Sequence, residues 1–282
     1  MANVRQLDPS ASPLDYFGYE CRRLREAAGL TLEGLGKILF CTGSLIGQVE
    51  TAQKVPTRNF AERLDAAFLT DGSFTRMIGM VLRSQLPNWF QAYADMEAKA
   101  DFISTYQCQL VHGLLQTPEY AAALLAVEYP DRIEEMVSAR MERQRILDKN
   151  QLPAVWVILD ESVLFRMVGD REVMRKQLAR LVGFRDNPWA NIQVLPFSVG
   201  AHTGMMGSFT LLRFGDDPDL HYSEGYDQGH MTANPEVIRE RSVGYARLQA
   251  AALSVEESAD LIARVMEERY ADQPTDVAEV EL

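Results

Sequence analysis

The stretch TLEGLGKILFCTGSLIGQVE, residues 31–50, contains two short helical patterns separated by a break. Thr31 precedes the first apolar stripe and Thr42 precedes the second, and threonine at such a position caps the N-terminus of a helix. The apolar spacing is interrupted at Phe40–Cys41, which predicts a tight turn. The inward-facing positions are Leu32, Leu35, Ile38 and Leu39 in the first helix and Leu45, Ile46 and Val49 in the second. Two such helices joined by a tight turn form a helix-turn-helix.

The second helix carries glycine at positions 43 and 47, where its hydrophobic pattern requires none. Glycine on an exposed helix face lowers helix stability by about 1 kcal/mol relative to alanine. We therefore expect this face to lie close to another surface. Thr42, Ser44 and Gln48 share the face with Gly43 and Gly47. Glutamine can pair with an adenine edge in the major groove, and serine or threonine can bond bases or phosphates. The face is therefore predicted to enter the major groove of DNA.

Further candidate contacts flank this helix. Lys54 and Arg58 follow it, where DNA phosphates would pass, and Thr31 at a helix N-terminus could meet a phosphate as well. The predicted DNA-binding residues are Thr31, Thr42, Gly43, Ser44, Gly47, Gln48, Lys54 and Arg58. An ordinary helical hairpin has the same spacing, and this alternative stays open at the level of sequence.

Helical patterns on both sides of the motif predict five short helices between residues 14 and 86, which form an N-terminal domain. Pro87 marks the expected boundary with a C-terminal regulatory or partner-binding domain at residues 87–271. Residues 1–13 are expected to be disordered, and so is the acidic tail at residues 272–282.

The hydrophobic period changes after Pro153, where strand patterns alternate with helical ones. Apolar residues occupy both faces of several strands, which predicts a mixed sheet flanked by helices. Thr117 and Ser254 are placed to cap the helices that follow them. The fold class expected for the whole chain is multidomain, α followed by α+β. The predicted strands lie within residues 154–159, 191–197, 207–214 and 219–224.

Composition limits the broad class of protein. The chain has 282 residues, of which 47% are hydrophobic and 24% charged, as expected of a globular protein with a sizeable core. No apolar run approaches the roughly 18 residues of a membrane span, and the N-terminus lacks a signal-peptide core. Cys21, Cys41 and Cys108 are too few and too widely spaced for a disulfide framework or a metal site. We therefore expect a cytoplasmic protein with no membrane association.

The net charge of −12 is unevenly distributed. Residues 1–86 contain 10 Lys/Arg and 9 Asp/Glu, whereas the remainder contains 18 and 31. A nearly neutral N-terminal domain can bind phosphates if its cations share one face. The acidic remainder is expected to repel DNA or to attract a basic partner.

The segment LREAAGLTLEGLGKILFCTGSLIGQVETAQKVPT, residues 24–57, resembles the XRE-type (lambda-repressor-like) regulators. The family's closing run is represented by Ile46, Val49, Glu50, Ala52 and Pro56. The resemblance implies a DNA-binding domain in which Glu50 is a buried structural acid. The chain departs from the family pattern at two positions, with Leu32 where many relatives carry glutamine and Gly36 where alanine is usual.

Most of the remaining chain resembles an actinobacterial, antitoxin-like subgroup of these regulators, whose large C-terminal domain has no assigned biochemistry. The resemblance implies regulation of transcription, often beside a gene for a small partner protein. His112 departs from the subgroup's pattern, which has proline at this position. The matching residues are Trp89, Glu97, LVHGLLQTPEYAAALL (110–125), RMERQRIL (140–147), VILDESVLFRMVG (157–169), MRKQLARL (174–181), IQVLPFSVGAHTGMMGSFTLLRF (192–214) and YSE (222–224).

Catalytic or cofactor chemistry has little support in the C-terminal sequence. The four histidines lack metal-ligand spacing, and the serines lack the context of an activated nucleophile. The glycine-containing loop around His202 is most simply a strand connection, and its alternative is the lip of a ligand pocket. His202, Trp156 and Glu224 are the candidate ligand-binding residues, with Trp156 equally explained as core. We predict no cofactor, no metal and no enzymatic activity.

The sequence thus predicts a DNA-binding transcriptional regulator. A homodimer on a pseudo-palindromic site in double-stranded DNA is expected, because one helix-turn-helix reads only a few base pairs. The C-terminal domain would bind an effector or a small basic partner protein encoded nearby. The alternative is an antitoxin-like interaction protein with weak or lost DNA binding, and an enzyme tethered to DNA ranks last.

Overall fold

The computed structural model describes residues 7–148, 153–225 and 228–271 and divides the chain into two compact units. The first unit contains the chain up to Gln91 together with Arg132–Glu142, and the second contains Ala92–Asp131 and the chain from Arg143 onward. The prediction of one uninterrupted domain at residues 87–271 therefore differs from the structure. Residues 87–91 and Arg132–Glu142 belong with the first unit.

The five predicted helices of the first unit are present. Each of the first four begins after a serine or threonine whose side chain accepts a backbone N–H, which satisfies a donor left free at the helix N-terminus. The helices are α1 (Pro13–Ala27), α2 (Leu32–Ile38), α3 (Gly43–Glu50), α4 (Arg58–Phe68) and α5 (Ser73–Ser84).

The start of the chain differs from the expectation of disorder up to residue 13. Leu7 is buried, and Ser12 caps α1, whose first residue is Pro13. Leu7 packs close to Gly18, since a Cβ atom built on Gly18 would lie 3.1 Å from Leu7 Cδ1. Residues 1–6 and 272–282, both expected to be disordered, lie outside the described residues.

The second unit is built on a sheet of six strands in the order β3-β2-β1-β4-β5-β6. β1 pairs with β2 and β2 with β3 in parallel, whereas the pairs β1–β4, β4–β5 and β5–β6 are antiparallel. The mixed sheet confirms the predicted fold class. The strands are β1 (Phe102–Gln107), β2 (Ala154–Asp160), β3 (Ala190–Leu195), β4 (Phe209–Arg213), β5 (Leu220–Glu224) and β6 (Gly229–Thr232).

Helices cover the sheet on both faces. The remaining helices are α6 (Asn88–Glu97), α7 (Pro118–Glu128), α8 (Ile133–Gln144), α9 (Ser162–Phe165), α10 (Arg171–Val182), α11 (Pro235–Ala251) and α12 (Val255–Tyr270). On one face Tyr245 and Leu248 of α11 pack into a buried cluster with Tyr106 and Ile158. On the other face α12 packs against β3, where the Ser258 hydroxyl accepts the N–H of Val194 at 2.9 Å.

Two strands were not predicted from the sequence, and one of them is central to the sheet. β1 lies between β2 and β4 and includes Ser104 and Thr105, both buried. The Thr105 hydroxyl lies 2.9 Å from that of Thr210 on β4, so the buried hydroxyl of Thr105 is satisfied across the sheet. β6, Gly229–Thr232, is the edge strand that the sequence reading also missed.

The turn between α2 and α3 depends on glycine. A Cβ atom at Gly36 would lie 2.8 Å from the carbonyl oxygen of Cys41 and 3.0 Å from the nitrogen of Gly43. A Cβ atom at Gly43 would lie 3.0 Å from the nitrogen of Glu33. Glycine at these positions thus lets two helix backbones approach, whereas a Cβ atom at Gly47 would make only an ordinary contact of 3.5 Å with Leu32.

This geometry predicts opposite effects of alanine at two positions. Gly36→Ala should lower the free energy of unfolding by about 1–3 kcal/mol, because the new methyl group overlaps backbone atoms that cannot rotate away. Gly47→Ala should leave the free energy of unfolding unchanged or raise it by up to about 1 kcal/mol through helix propensity. Urea unfolding followed by circular dichroism compares the variants, and equal stability would contradict the packing described for the turn.

Candidate nucleic-acid interface

A buried ion pair anchors α3 to α1. Glu50, the last residue of α3, is 2% exposed, and its two carboxylate oxygens accept N–H bonds from Arg25 at 2.6 and 2.8 Å. Arg22 donates to the backbone oxygen of Glu50 at 2.8 Å. Hydrogen bonding to Glu50 raises the pKa of the Arg25 guanidinium. Glu50 is thus the buried acid that the resemblance implied, and it fixes the C-terminal end of α3.

The predicted recognition face of α3 is open. Thr42, Ser44 and Gln48 are exposed, whereas Ile46 and Val49 on the opposite side are fully buried. Short polar side chains and one amide therefore stand on a helix whose apolar side is locked into the domain. Gly47 and Gly43 lie along this face and are half-buried.

Gly43 requires a revised interpretation. The sequence suggested that both glycines let DNA approach, but Gly43 is required by the contact of α3 with Glu33 of α2. Internal packing does not require glycine at position 47, because only the Leu32 side chain lies within 4 Å of a Cβ atom built there. Gly47 therefore remains the glycine whose bare surface is compatible with close approach of a ligand.

Thr31 and Thr42 are both N-caps in the structure. The Thr31 hydroxyl oxygen accepts the N–H of Gly34 at 3.0 Å, and that of Thr42 accepts the N–H of Leu45 at 3.2 Å. A hydroxyl that accepts a bond through its oxygen still has its own O–H to donate. Both exposed threonines can therefore cap a helix and bond a phosphate at the same time.

The two predicted phosphate-binding cations are paired with acids of α8. Lys54 Nζ lies 3.1 Å from Glu134 Oε2, and this pair is exposed. Arg58 donates through Nε and Nη2 to the carboxylate of Glu142 at 2.7 and 2.5 Å. The side chains of Arg58 and Glu142 are only 21% and 12% exposed, and the hydrogen bond with Glu142 raises the pKa of Arg58. A phosphate contact by Arg58 thus requires this ion pair to open.

Sequence reasoning missed these acids and two cations near the turn. Lys37 of α2 is exposed and takes part in no ion pair within the described part of the chain. Arg63 donates to the carbonyl oxygen of Leu39 at 2.8 Å and lies 6.0 Å from the ring of Phe40. The helical pattern of the sequence could have indicated Lys37, because it lies in the last turn of α2, next to the turn. The position of Arg63 could not be predicted in this way, because it depends on the tertiary packing of α4.

The three candidate ligand-binding residues do not form one site. His202 Nδ1 accepts the N–H of Gly204 at 3.2 Å, and its Nε2 lies 3.7 Å from Asp160 Oδ2. Trp156 packs against the cluster around Tyr106, on the α11 face of the sheet. Strand alternation places Glu224 on the other face, where its carboxylate accepts the Tyr222 hydroxyl at 3.1 Å.

A buried polar cluster in the second unit was also missed. Glu97 accepts N–H bonds from Arg143 at 2.5 and 2.9 Å and an O–H bond from Tyr93 at 2.8 Å. Burial alone would raise the pKa of Glu97, but the charge and hydrogen bonds of Arg143 outweigh it and lower the pKa. The geometry of this cluster is that of a structural tie between α6 and the end of α8.

Two features of the described residues bear on function. No group of three or more His, Cys, Asp or Glu side chains is placed to hold a metal ion. In the parts of the chain that the structure describes, every helix is too short or too polar to cross a lipid bilayer.

Comparison with known protein families agrees with the geometry of α2 and α3. Residues 17–74 match the family described as "Helix-turn-helix domain", so the chain carries a helix-turn-helix DNA-binding domain. Residues 90–264 match the family described as "Domain of unknown function (DUF5753)", and the chain belongs to this family. No curated protein and no solved structure shows a significant match over the chain.

The exposed amide of Gln48 leads to a specificity prediction. Gln48→Ala should relax base preference at one position of the selected DNA site by about 1–3 kcal/mol and change the other positions little. The site is first selected from random duplexes with the unaltered protein, and base variants are then compared by competition. Gln53→Ala, which removes an exposed amide just beyond α3, is the matched control and should leave the preference intact.

Lys54 leads to a different prediction. Lys54→Ala should weaken binding to all duplexes alike and reduce the slope of log K against log salt by about 1, because one phosphate contact is lost. Filter binding between low and moderate salt measures both quantities, with Lys99→Ala in the second unit as the control. A change of sequence preference in Lys54→Ala would contradict the assigned role.

Proposed function

We propose that the protein is a transcriptional regulator that binds an operator through the exposed face of α3 from Thr42 to Gln48. The observation that carries the proposal is the anchoring of α3, whose apolar side and C-terminal Glu50 are buried while its short polar side chains stay exposed. Such a helix can enter a major groove without rearrangement of the domain. Its few base contacts favour a homodimer on a pseudo-palindrome, with half-sites roughly 34 Å apart.

The contacts of α8 support a regulatory role for the C-terminal region. Arg132–Glu142 packs within the first unit although it lies in the part of the chain matched by the DUF5753 family. Its acids Glu134 and Glu142 form ion pairs with Lys54 and Arg58, the two cations that would otherwise neutralise phosphates. DNA phosphate and the α8 carboxylates therefore compete for Lys54 and Arg58. A ligand or partner that changes the hold of α8 on α4 would change operator affinity.

A small basic partner protein encoded nearby is the other proposed input. The acidity of the chain beyond residue 86, with 18 Lys/Arg against 31 Asp/Glu, favours a basic partner. Co-purification of the neighbouring gene's product with the full chain tests this part of the proposal. Failure to form a complex at micromolar concentration would rule out the proposed basic partner, but it would not contradict the proposed binding to DNA.

An interaction protein with lost DNA binding is the second candidate, and two observations favour it. Arg58 is engaged by Glu142, and Leu32 stands where the resemblance leads one to expect a phosphate-bracing glutamine. A footprint on the DNA upstream of its own gene, repeated across a salt series, separates the two functions. A regulator protects a discrete site with a steep salt dependence through counterion release. The absence of any protected site would overturn the proposed function.

Glu142→Gln provides the test of competition by α8. Removal of the carboxylate charge should free Arg58 and tighten operator binding on the order of tenfold at low salt, which corresponds to about 1.4 kcal/mol. Competition binding with labelled operator measures the change, and thermal unfolding confirms that the variant is folded.

The matched control is Glu135→Gln, which removes the same charge from α8 at a residue paired with Arg132. It should tighten binding much less than Glu142→Gln. Equal effects of the two variants would show that net charge alone is responsible and that the Arg58–Glu142 pair has no specific role.

A further inference from the structure

A cleft in the second unit lies beside α11 and outside the candidate DNA interface. Its volume is about 490 Å³, which is sufficient for a small molecule. Thr203 and Gly244 both line it and are in direct contact, since the Thr203 hydroxyl donates to the carbonyl oxygen of Gly244 at 3.1 Å. The lining residues are Thr203, Phe209, Arg239, Glu240, Arg241, Val243, Gly244 and Arg247. The loop that the sequence suggested as a ligand lip thus borders the cleft through Thr203, while its neighbour His202 turns toward Asp160.

Three arginines line this cleft, and none has an acidic partner in the described part of the chain. Within the described residues, no carboxylate lies within 4.0 Å of the guanidinium groups of Arg239, Arg241 and Arg247. These unpaired arginines lie in a part of the chain where acids outnumber bases, with 31 Asp/Glu against 18 Lys/Arg beyond residue 86. Glu240 is the single acid of the lining, which thus carries three positive charges and one negative charge.

Beside the cleft lies a histidine, His221, whose ring nitrogens are unpaired as far as the described residues show. His221 of β5 is 5% exposed, and neither Nδ1 nor Nε2 has a hydrogen-bond partner among the described residues. Its ring lies 6.1 Å from that of Phe209, which lines the cleft. Burial, with the nearby charges of Arg241 and His230, lowers the pKa of His221 to about 4. At neutral pH it therefore presents one free N–H donor and one free acceptor.

Gly244 lines the cleft without adding a side chain to it. Gly244 lies inside α11, where glycine weakens a helix relative to alanine. A Cβ atom built at this position would find no atom closer than 3.9 Å. Internal packing therefore does not require glycine at this position, and a larger side chain would enter the cleft.

We propose that this cleft binds a small organic molecule with one anionic group, a carboxylate or a phosphate, attached to an apolar body. Arg241 and its two neighbours would hold the anion, because guanidinium groups bind carboxylate and phosphate with paired hydrogen bonds. Phe209 and Val243 would contact the apolar body. Glu240 disfavours a ligand with several negative charges and so favours a single anionic group. Binding stands independently of operator recognition, and only its role as an effector rests on the proposed function.

Isothermal titration calorimetry on the full chain without DNA tests the proposal with four probes. Benzoate and phenyl phosphate carry the two anionic groups on the same ring, and whichever binds more tightly identifies the group. Inorganic phosphate lacks the apolar body and should bind at least tenfold more weakly. Benzyl alcohol lacks the charge and should not bind. Absence of saturable binding by both benzoate and phenyl phosphate would overturn the proposal.

Variants locate the binding. Arg241→Gln should weaken the better probe at least tenfold, whereas Arg264→Gln, an exposed arginine of α12 with no ion pair among the described residues, should not change it. Gly244→Leu fills the cleft without a change of charge and should abolish binding while the protein stays folded. Equal binding by Gly244→Leu and the unaltered chain would place the anion elsewhere and contradict the assignment.

His221→Phe separates a ligand-binding histidine from a merely buried one. Replacement of an unsatisfied polar ring by an apolar ring should raise the Tm of the unliganded protein by about 3 °C. The same change should weaken the better probe several-fold. A higher Tm with unchanged affinity for the probe would show that His221 is not part of the site. The outcome of every ligand-binding experiment is independent of whether the protein recognises an operator.

Discussion

The buried carboxylate of Glu50 is the constraint on which the DNA-binding unit depends. A carboxylate removed from water costs several kcal/mol unless its charge and both oxygens are compensated, and Arg25 supplies two hydrogen bonds while Arg22 holds the backbone. This compensation joins α1 to the C-terminal end of α3. The face of α3 that carries Thr42, Ser44 and Gln48 is then left outside, where a duplex can reach it.

Local features of the fold could be predicted from sequence, and long-range features could not. The hydroxyls of Thr31, Thr42 and Thr57 each accept the N–H of the residue three positions later. The starts of these helices are therefore determined by residues that are close in sequence. Strand β1 is different. Its buried Thr105 looks like a loop or surface residue until it meets Thr210, a residue 105 positions away. A central strand satisfied by such distant partners has no local signature.

The same distinction applies to the candidate site. Exposure of Ser44 and Gln48 follows from the helical period of α3, so sequence reasoning identified the face correctly as outward. The pairing of Arg58 with Glu142 joins residues 84 positions apart and depends on tertiary packing, which no spacing rule contains. For Gly43 the sequence was ambiguous. A glycine required by contact with Glu33 of α2 looks the same in the sequence as a glycine required by contact with DNA.

Charge arrangement explains why the net charge of each region is a poor guide to what it binds. The segment Arg132–Glu142 comes from the acidic part of the chain, yet its carboxylates lie on the cations of the DNA-binding unit. Within the same acidic part, the arginines of α11 that line a cleft have no acidic partner among the residues that the structure describes. Coulomb energy falls with distance and is screened within about 10 Å, so local pairing decides which ligand a surface attracts. Positive charge left unpaired beside a cleft is therefore more informative about ligands than an overall charge of −12.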